Sequence, residues 1–180
     1  MTDLSQRYGQ IEEERLAALL RYDVLDSAAE EPFSDLAQLA SFICECPIAL
    51  ITLIDRQRAW FKAAVGIDIT EIPRDMAFCD RVVAEHRPLV LDDTTQHEVF
   101  RHNPLVVQAP YARFYAGAPL LTGDGHALGT LCVIDQQPRH LESRQLDALK
   151  MLSGQVISQL ELRRHLHLAL NVSETLQRHV

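Results

Sequence analysis

The sequence predicts an α+β domain: two helices, then a sheet interrupted by a short helix and a long insert, then one closing helix. Three observations carry this. Apolar residues recur at helical spacing at both ends of the chain, and apolar, β-rich runs occupy its middle. Two of those runs, Phe114 to Leu121 and Ala127 to Ile134, flank Thr122-Gly123-Asp124-Gly125, whose Asp-Gly pair supplies the positive φ of a tight hairpin turn. With 180 residues, 47% of them hydrophobic, the chain is long enough for one domain with a sizeable core.

The opening helix rests on Leu4, Tyr8, Ile11, Leu16, Leu19 and Leu20, spaced among Glu12, Glu13, Glu14 and Arg15, and runs to about Arg21. Tyr22 to Glu31 is a connector. Pro32 suits the first turn of a second helix, whose apolar face is Phe33, Leu36, Leu39, Ala40 and Ile43, with Pro47 closing it. Ile48 to Ile54 reads as a strand, Asp55 to Arg58 as a turn, and Ala59 to Val65 as a second strand ending at Gly66. Met76 to Glu85 is a short helix with Phe78, Cys79, Val82 and Val83 on one face, and Leu89 to Leu91 is a short strand. Asp92 to Arg113 is long for a connection, which suits a lid over a cavity. In the closing helix, from about Glu142, Leu146, Leu149, Leu152, Val156 and Leu160 form a broad stripe. Beyond Glu161 the stripe thins to Leu162, Leu166, Leu170 and Leu176, broken by polar residues such as Ser173, and suits a partner helix better than a core.

Composition removes several function classes. A net charge of −8 with no cluster of Lys and Arg argues against nucleic acid and anionic membranes as partners. No apolar run approaches the ~20 residues that cross a bilayer, and the N-terminus lacks a signal-peptide apolar region, so a cytoplasmic location is expected. The four cysteines, Cys44, Cys46, Cys79 and Cys132, contain no Cys-x-x-Cys pair and read as free thiols. Neither they nor the eight scattered histidines spell a zinc site. Phosphate-binding, dinucleotide, serine-hydrolase and zinc-protease motifs are absent.

Five strings then carry a family resemblance: AFC at Ala77 to Cys79, LVLDD at Leu89 to Asp93, FRHNPLV at Phe100 to Val106, RFYAGAPL at Arg113 to Leu120 and LGTLCVID at Leu128 to Asp135. In this order they resemble a GAF domain of the subgroup found at the front of bacterial signalling proteins, over about Glu12 to Leu162. The resemblance implies a twisted antiparallel sheet with helices on one face, a loop-covered pocket on the other, and a long C-terminal helix. It divides residues 1–180, as one domain, into an N-terminal helix (1–21), a sensory core (22–140) and a signalling helix (141–180). The function expected is a sensory and regulatory domain that binds a small ligand, or relays a conformational change through a dimeric helix, to an output such as a histidine kinase or a diguanylate cyclase, beyond this chain or in trans.

Candidate ligand-binding residues are Phe78, Cys79, Asp92, Thr94, Phe100, Tyr111, Arg113 and Tyr115, with aromatic rings as walls and the Asp and Thr side chains as polar partners. The same residues suit a hydrogen-bonded turn and ordinary core, and Arg113 suits an internal pair with Asp92 or Asp93 slightly better than an anionic ligand. Small residues at Ala116, Gly117, Ala118 and Gly129 let a helix or a ligand approach the hairpin backbone. Candidate homodimer contacts are Leu16, Leu19, Leu160, Leu166 and Leu170.

Cys79 separates three classes. Phytochrome-like relatives attach a bilin to a pocket cysteine, but Asp80 and Arg81 follow Cys79 where many of them carry histidine, so neither a bilin nor a metal is assigned as cofactor. Free-methionine sulfoxide reductases share the GAF fold and resolve their thiol with a neighbouring cysteine; Cys79 falls near the equivalent region, yet Gln108 to Tyr115 contains no second cysteine. A buried structural thiol is the third reading, and no catalytic residue is assigned.

Overall fold

The structure, a computed structural model, describes residues 2–177, with side chains from residue 6 to residue 172; Leu4, Ser173 and Leu176 of the two helical stripes lie outside the described side chains. Helix α1 (Thr2–Leu20) buries only its last turns, through Leu16, Ala18 and Leu19, and leaves Tyr8 and Ile11 exposed. The chain reverses at Asp23 and Asp26, both with φ in the left-handed region that aspartate tolerates. Helix α2 (Glu31–Cys44) starts with proline in its first turn and buries Phe33, Ala37, Ala40 and Cys44, one stripe at helical spacing. It stops before Pro47. Glu45 turns left-handed at φ +56°, and the amides of Glu45 and Cys46 return to the carbonyls of Phe42 and Ser41. Leu39, expected on the buried face, is exposed because the stripe runs through Ala37 and Ala40 instead.

Six strands follow: β1 (Ile48–Ile54), β2 (Arg58–Val65), β3 (Glu71–Pro73), β4 (Leu89–Leu91), β5 (Phe114–Leu121) and β6 (Ala127–Asp135). They form one antiparallel sheet in the order β3-β2-β1-β6-β5-β4. The continuous apolar run of β1 is explained by its place beside β6 in the middle of the sheet, where every one of its residues is buried. The edge strand β3 escapes the sequence pattern because three residues are too few to show alternation. The hairpin turn has its positive φ at Gly125, +88°, with the Thr122 hydroxyl held between Asp124 and the His126 backbone.

One face of the sheet packs against α2 and helix α5 (Ser143–Gln177): Ala49, Ile51, Leu53, Phe114, Ala118, Leu131 and Val133 meet Phe33, Ala37, Leu149, Val156 and Leu160. The other face carries helix α3 (Cys79–Glu85) and the 92–113 insert, which contains the single-turn helix α4 (Pro104–Val107). Near its bulge with β1, strand β2 sends Lys62 to the α2 face. The Lys62 ammonium bonds Ser27 Oγ, the Ala28 carbonyl and, at 2.6 Å, Glu30 Oε1. Glu30 precedes α2 but, instead of capping it, also accepts from Arg163 Nε of α5 at 2.8 Å. Arg163 donates further to the carbonyls of Tyr22 and Asp23, and the Tyr22 hydroxyl meets Glu161. This cluster marks where α5 leaves the sheet. From His165 to Val172 every side chain is exposed, Leu166 and Leu170 included.

Three of the five expected dimer contacts are corrected here. Leu16, Leu19 and Leu160 are 5%, 0% and 1% exposed, and they pack inside the chain's own core, so they offer no surface to a second copy. Their helical periodicity could not tell an internal face from an external one.

Candidate functional site

The face covered by α3 gathers most of the expected ligand residues. Tyr115 projects from β5 onto this face and folds back along the strand, over Gly117; a Cβ on Gly117 would sit 2.3 Å from the tyrosine oxygen. Small residues in RFYAGAPL therefore admit the chain's own tyrosine. Phe78 stands 5.1 Å from the Tyr115 ring and 5.2 Å, edge-on, from the Phe100 ring. All three rings are buried, and the five residues Phe78, Cys79, Thr94, Phe100 and Tyr115 lie on this side of the molecule in packed surroundings.

The polar candidates separate from them. Thr94 is fully buried, but its hydroxyl donates to the Ala112 carbonyl and its amide to the Arg113 carbonyl, so it ties the two ends of the insert together. Arg113 pairs with neither Asp92 nor Asp93. Its guanidinium donates to the Val106 carbonyl at 2.7 Å, which closes α4 onto the start of β5. Asp93 bonds the amide and hydroxyl of Thr95, whereas Asp92 faces His140 at 2.9 Å on the surface. Tyr111 is 51% exposed and stands apart from the rings. Two surface grooves, of about 500 and 780 Å³, are lined by other residues, around the β1–β2 turn and β3 and around the end of α2 and β6.

Beneath the rings lies a group of sulfur and hydroxyl atoms. Cys79 Sγ is 3.9 Å from Cys132 Sγ of β6 and accepts hydrogen bonds from Thr130 Oγ1 at 3.0 Å and from the Tyr115 hydroxyl at 3.3 Å. Hydrogen bonding with Cys132, joined by Thr130 and Tyr115, outweighs burial and lowers the Cys79 thiol from 9.0 to about 7. Cys132 moves the other way, well above its usual value. Thr52 of β1, opposite Thr130, keeps a buried hydroxyl with no partner in hydrogen-bond geometry. Sequence reasoning sought a second cysteine within Gln108 to Tyr115 and missed Cys132. The available signal was alternation along β6, which sets Thr130, Cys132 and Ile134 on one face.

Gly129 makes the close approach of β6 and β1 possible: a Cβ there would lie 1.8 Å from the Thr52 carbonyl oxygen. Beside the β1–β2 turn, where its guanidinium also donates to the Asp55 carbonyl, Arg74 links Glu12 of α1 to Asp80 of α3. Glu12 is raised by burial but lowered further by hydrogen bonds from Arg15 and Arg74, to about 2. The α3 face is thus connected to the first helix by side-chain ion pairs.

Among the described residues no helix is long and apolar enough to cross a membrane, and no group of three or more His, Cys, Asp or Glu is arranged to hold a metal ion.

The chain is similar to several known proteins. A cyclic di-GMP phosphodiesterase of Pseudomonas aeruginosa is 41% identical over 132 residues, 73% of this chain but only 22% of that protein, so the chain spans less than a quarter of this relative's length. Among solved structures, the GAF domain of an Acinetobacter phosphoenolpyruvate-protein phosphotransferase superposes with a TM-score of 0.60 at 15% identity, covering 83% of this chain and 92% of that one. A free methionine-R-sulfoxide reductase from Neisseria meningitidis, in complex with its substrate, gives 0.59 at 19% identity, covering 85% and 90%. These two show the fold alone. The GAF domain model matches residues 28–160, which takes in α2, the whole sheet, α3, the insert and α5 as far as Leu160, and the chain therefore belongs to the GAF domain family.

Proposed function

We propose that this chain is a cytoplasmic regulatory domain of a signalling protein, whose output is passed on by α5 acting in a homodimer. One observation carries the reading: α5 packs on the sheet as far as Leu160 and then continues with Leu162, Leu166 and Leu170, four residues apart and all more than half exposed. An apolar helical stripe left in water favours a partner helix. A second copy of the chain brings an identical stripe, and two parallel helices would deliver the two domains' states to one output. Because the curated relative is a cyclic di-GMP phosphodiesterase of which this chain matches 22%, we take that output to be a second-messenger enzyme or a kinase; a diguanylate cyclase or a histidine kinase fits equally. The division into 1–21, 22–140 and 141–180 is retained as part of this proposal.

A small ligand remains part of the reading. It would enter between the rings of Phe78, Phe100 and Tyr115, beside Cys79, and the 92–113 insert would have to move to bring Asp92, Thr94, Tyr111 or Arg113 to it. Only its differential affinity for two arrangements of the insert could shift α5. Sedimentation velocity of the purified chain tests the dimer. Leu166→Glu and Leu170→Glu weaken self-association at least tenfold without altering the circular dichroism spectrum, because neither residue is core. A monomeric parent chain, or variants that dimerise as tightly as the parent, would refute the helix interface.

The alternative is a thiol-dependent reductase of the free-methionine sulfoxide type. The juxtaposition of Cys79 and Cys132 favours it. Turnover of free methionine sulfoxide with a dithiol reductant, abolished by Cys79→Ser, would establish it in place of a purely regulatory domain.

A further inference from the structure

We propose that Cys79 and Cys132 are a buried dithiol that hydroperoxides oxidise to an intramolecular disulfide, making the α3–β6 contact a redox modification site. The pair joins elements 53 residues apart in sequence, and its sulfurs are 3.9 Å apart. A disulfide requires about 2 Å, so closure asks for a movement of roughly 2 Å shared between a short helix and a strand. The surroundings are polar in an otherwise apolar layer. Thr130 and Tyr115 donate to Cys79, and the Thr52 hydroxyl lies buried nearby with no partner of its own. Hydroxyl donors favour a thiolate and the sulfenate that succeeds it.

The other two cysteines have no such setting. Cys46 turns its thiol to the Cys44 carbonyl, and burial pushes Cys44 and Cys46 up to about 11 and about 12. They remain thiols and serve as internal controls.

The chemistry balances with one hydroperoxide, ROOH. Cys79 thiolate attacks the terminal oxygen, the O–O bond breaks, and the alkoxide leaves as ROH with the proton Cys79 gave up. Cys132 then attacks the sulfenic sulfur; the S–S bond forms, the S–O bond breaks, and hydroxide leaves as water with the Cys132 proton. Two thiols lose two electrons in all, and the peroxide takes them. Both sulfurs are buried, so a small peroxide enters when the seven-residue helix α3 opens locally. In a reducing compartment such a disulfide is transient, as a sensor's must be.

Closure has a route outward. Asp80 follows Cys79 and bonds Arg74, which bonds Glu12 of α1, so pulling the start of α3 toward β6 acts on the first helix.

The test is hydrogen peroxide added to the reduced, folded chain, followed by alkylation in denaturant, intact mass and peptide mapping. The expected result is a loss of ~2 Da, two alkylatable thiols instead of four, a Cys79–Cys132 linked peptide, and full reversal by dithiothreitol. Cys132→Ala should stop at a Cys79 sulfenic acid that a dimedone probe captures, and Cys79→Ala should not react. Four alkylatable thiols in the unsubstituted chain after exposure, or a link between Cys44 and Cys46, would overturn the proposal. The unsubstituted chain decides the matter even if a variant fails to fold. The readout is covalent and does not depend on the regulatory reading.

Discussion

Replacing Glu30 with alanine removes the one carboxylate that Lys62 and Arg163 share, and the structure sets the size of the effect. Lys62 has a side chain 0% exposed and Arg163 one 9% exposed, so neither charge can turn to bulk water. Two charge-assisted bonds, of 2.6 and 2.8 Å, are lost. Each is worth about 1.5–3 kcal/mol. Glu30 is itself 36% exposed, which screens both; Lys62 keeps Ser27 Oγ and the Ala28 carbonyl, and Arg163 keeps two backbone carbonyls. Screening and the remaining partners bring the loss below the summed range of about 3–6 kcal/mol, to about 2–3 kcal/mol in total. That corresponds to a midpoint about 4–12 °C lower for a domain of this size.

Urea unfolding followed by circular dichroism measures it. Lys62→Met in the Glu30→Ala background should recover part of the loss, since it removes the buried ammonium left without its carboxylate. The pH dependence has a definite sign. Burial raises the Glu30 carboxyl, but Lys62 and Arg163 bring it below its ordinary 4.5. Its contribution is thus present above 4.5 and lost as pH falls through the lower folded value, so the gap between parent and Glu30→Ala closes in acid and is constant near neutrality. A loss below about 0.5 kcal/mol at pH 7 would refute the reasoning, because the buried ammonium would then have needed no carboxylate.

Gly129→Ala places a methyl 1.8 Å from the Thr52 carbonyl oxygen; the two central strands must part, and a drop of about 3 kcal/mol or an insoluble product is expected on thermal unfolding. Leu160→Ala costs about 2–5 kcal/mol, whereas Leu166→Ala, at a residue 55% exposed, changes monomer stability by less than about 0.5; equal effects in urea would contradict the point at which α5 leaves the core. Glu12→Gln removes an acid whose folded value is about 2, so its stabilising pairs with Arg15 and Arg74 act above 4.5 and disappear as pH falls toward 2. The parent's acid unfolding should accordingly be steeper between pH 4.5 and 2 than that of Glu12→Gln, and coincident curves would show that the pairs contribute nothing.

Much of the fold was legible locally. The stripe Leu149, Val156 and Leu160, the proline in the first turn of α2, the apolar run of β1 and the Asp-Gly turn each depend on residues within a few positions of one another, and periodicity reports such relations directly. Four residues of the family strings, Phe78, Cys79, Phe100 and Tyr115, share one buried cluster on the α3 face of the sheet. Arg113, for which an internal pair with Asp92 or Asp93 is only slightly the better expectation, meets the Val106 carbonyl instead, because an arginine reaches several residues in any direction and chain proximity says little about which acceptor faces it.

Sequence alone thus determined the longer helices, every strand but the edge strand β3, their order and the family, since these follow from short-range spacing and from strings of adjacent residues. Only the tertiary structure decided which apolar residues are internal: Leu160, Leu166 and Leu170 lie on one helix, yet Leu160 is buried and the other two are exposed, and Leu16 and Leu19 of α1 are buried as well. It also decided that Tyr115 lies over Gly117, that Lys62 turns to the α2 face to find Glu30, and that Cys79 faces Cys132. The last two join residues 32 and 53 positions apart through elements laid across the sheet, and that placement belongs to the assembled fold and to no single strand's pattern.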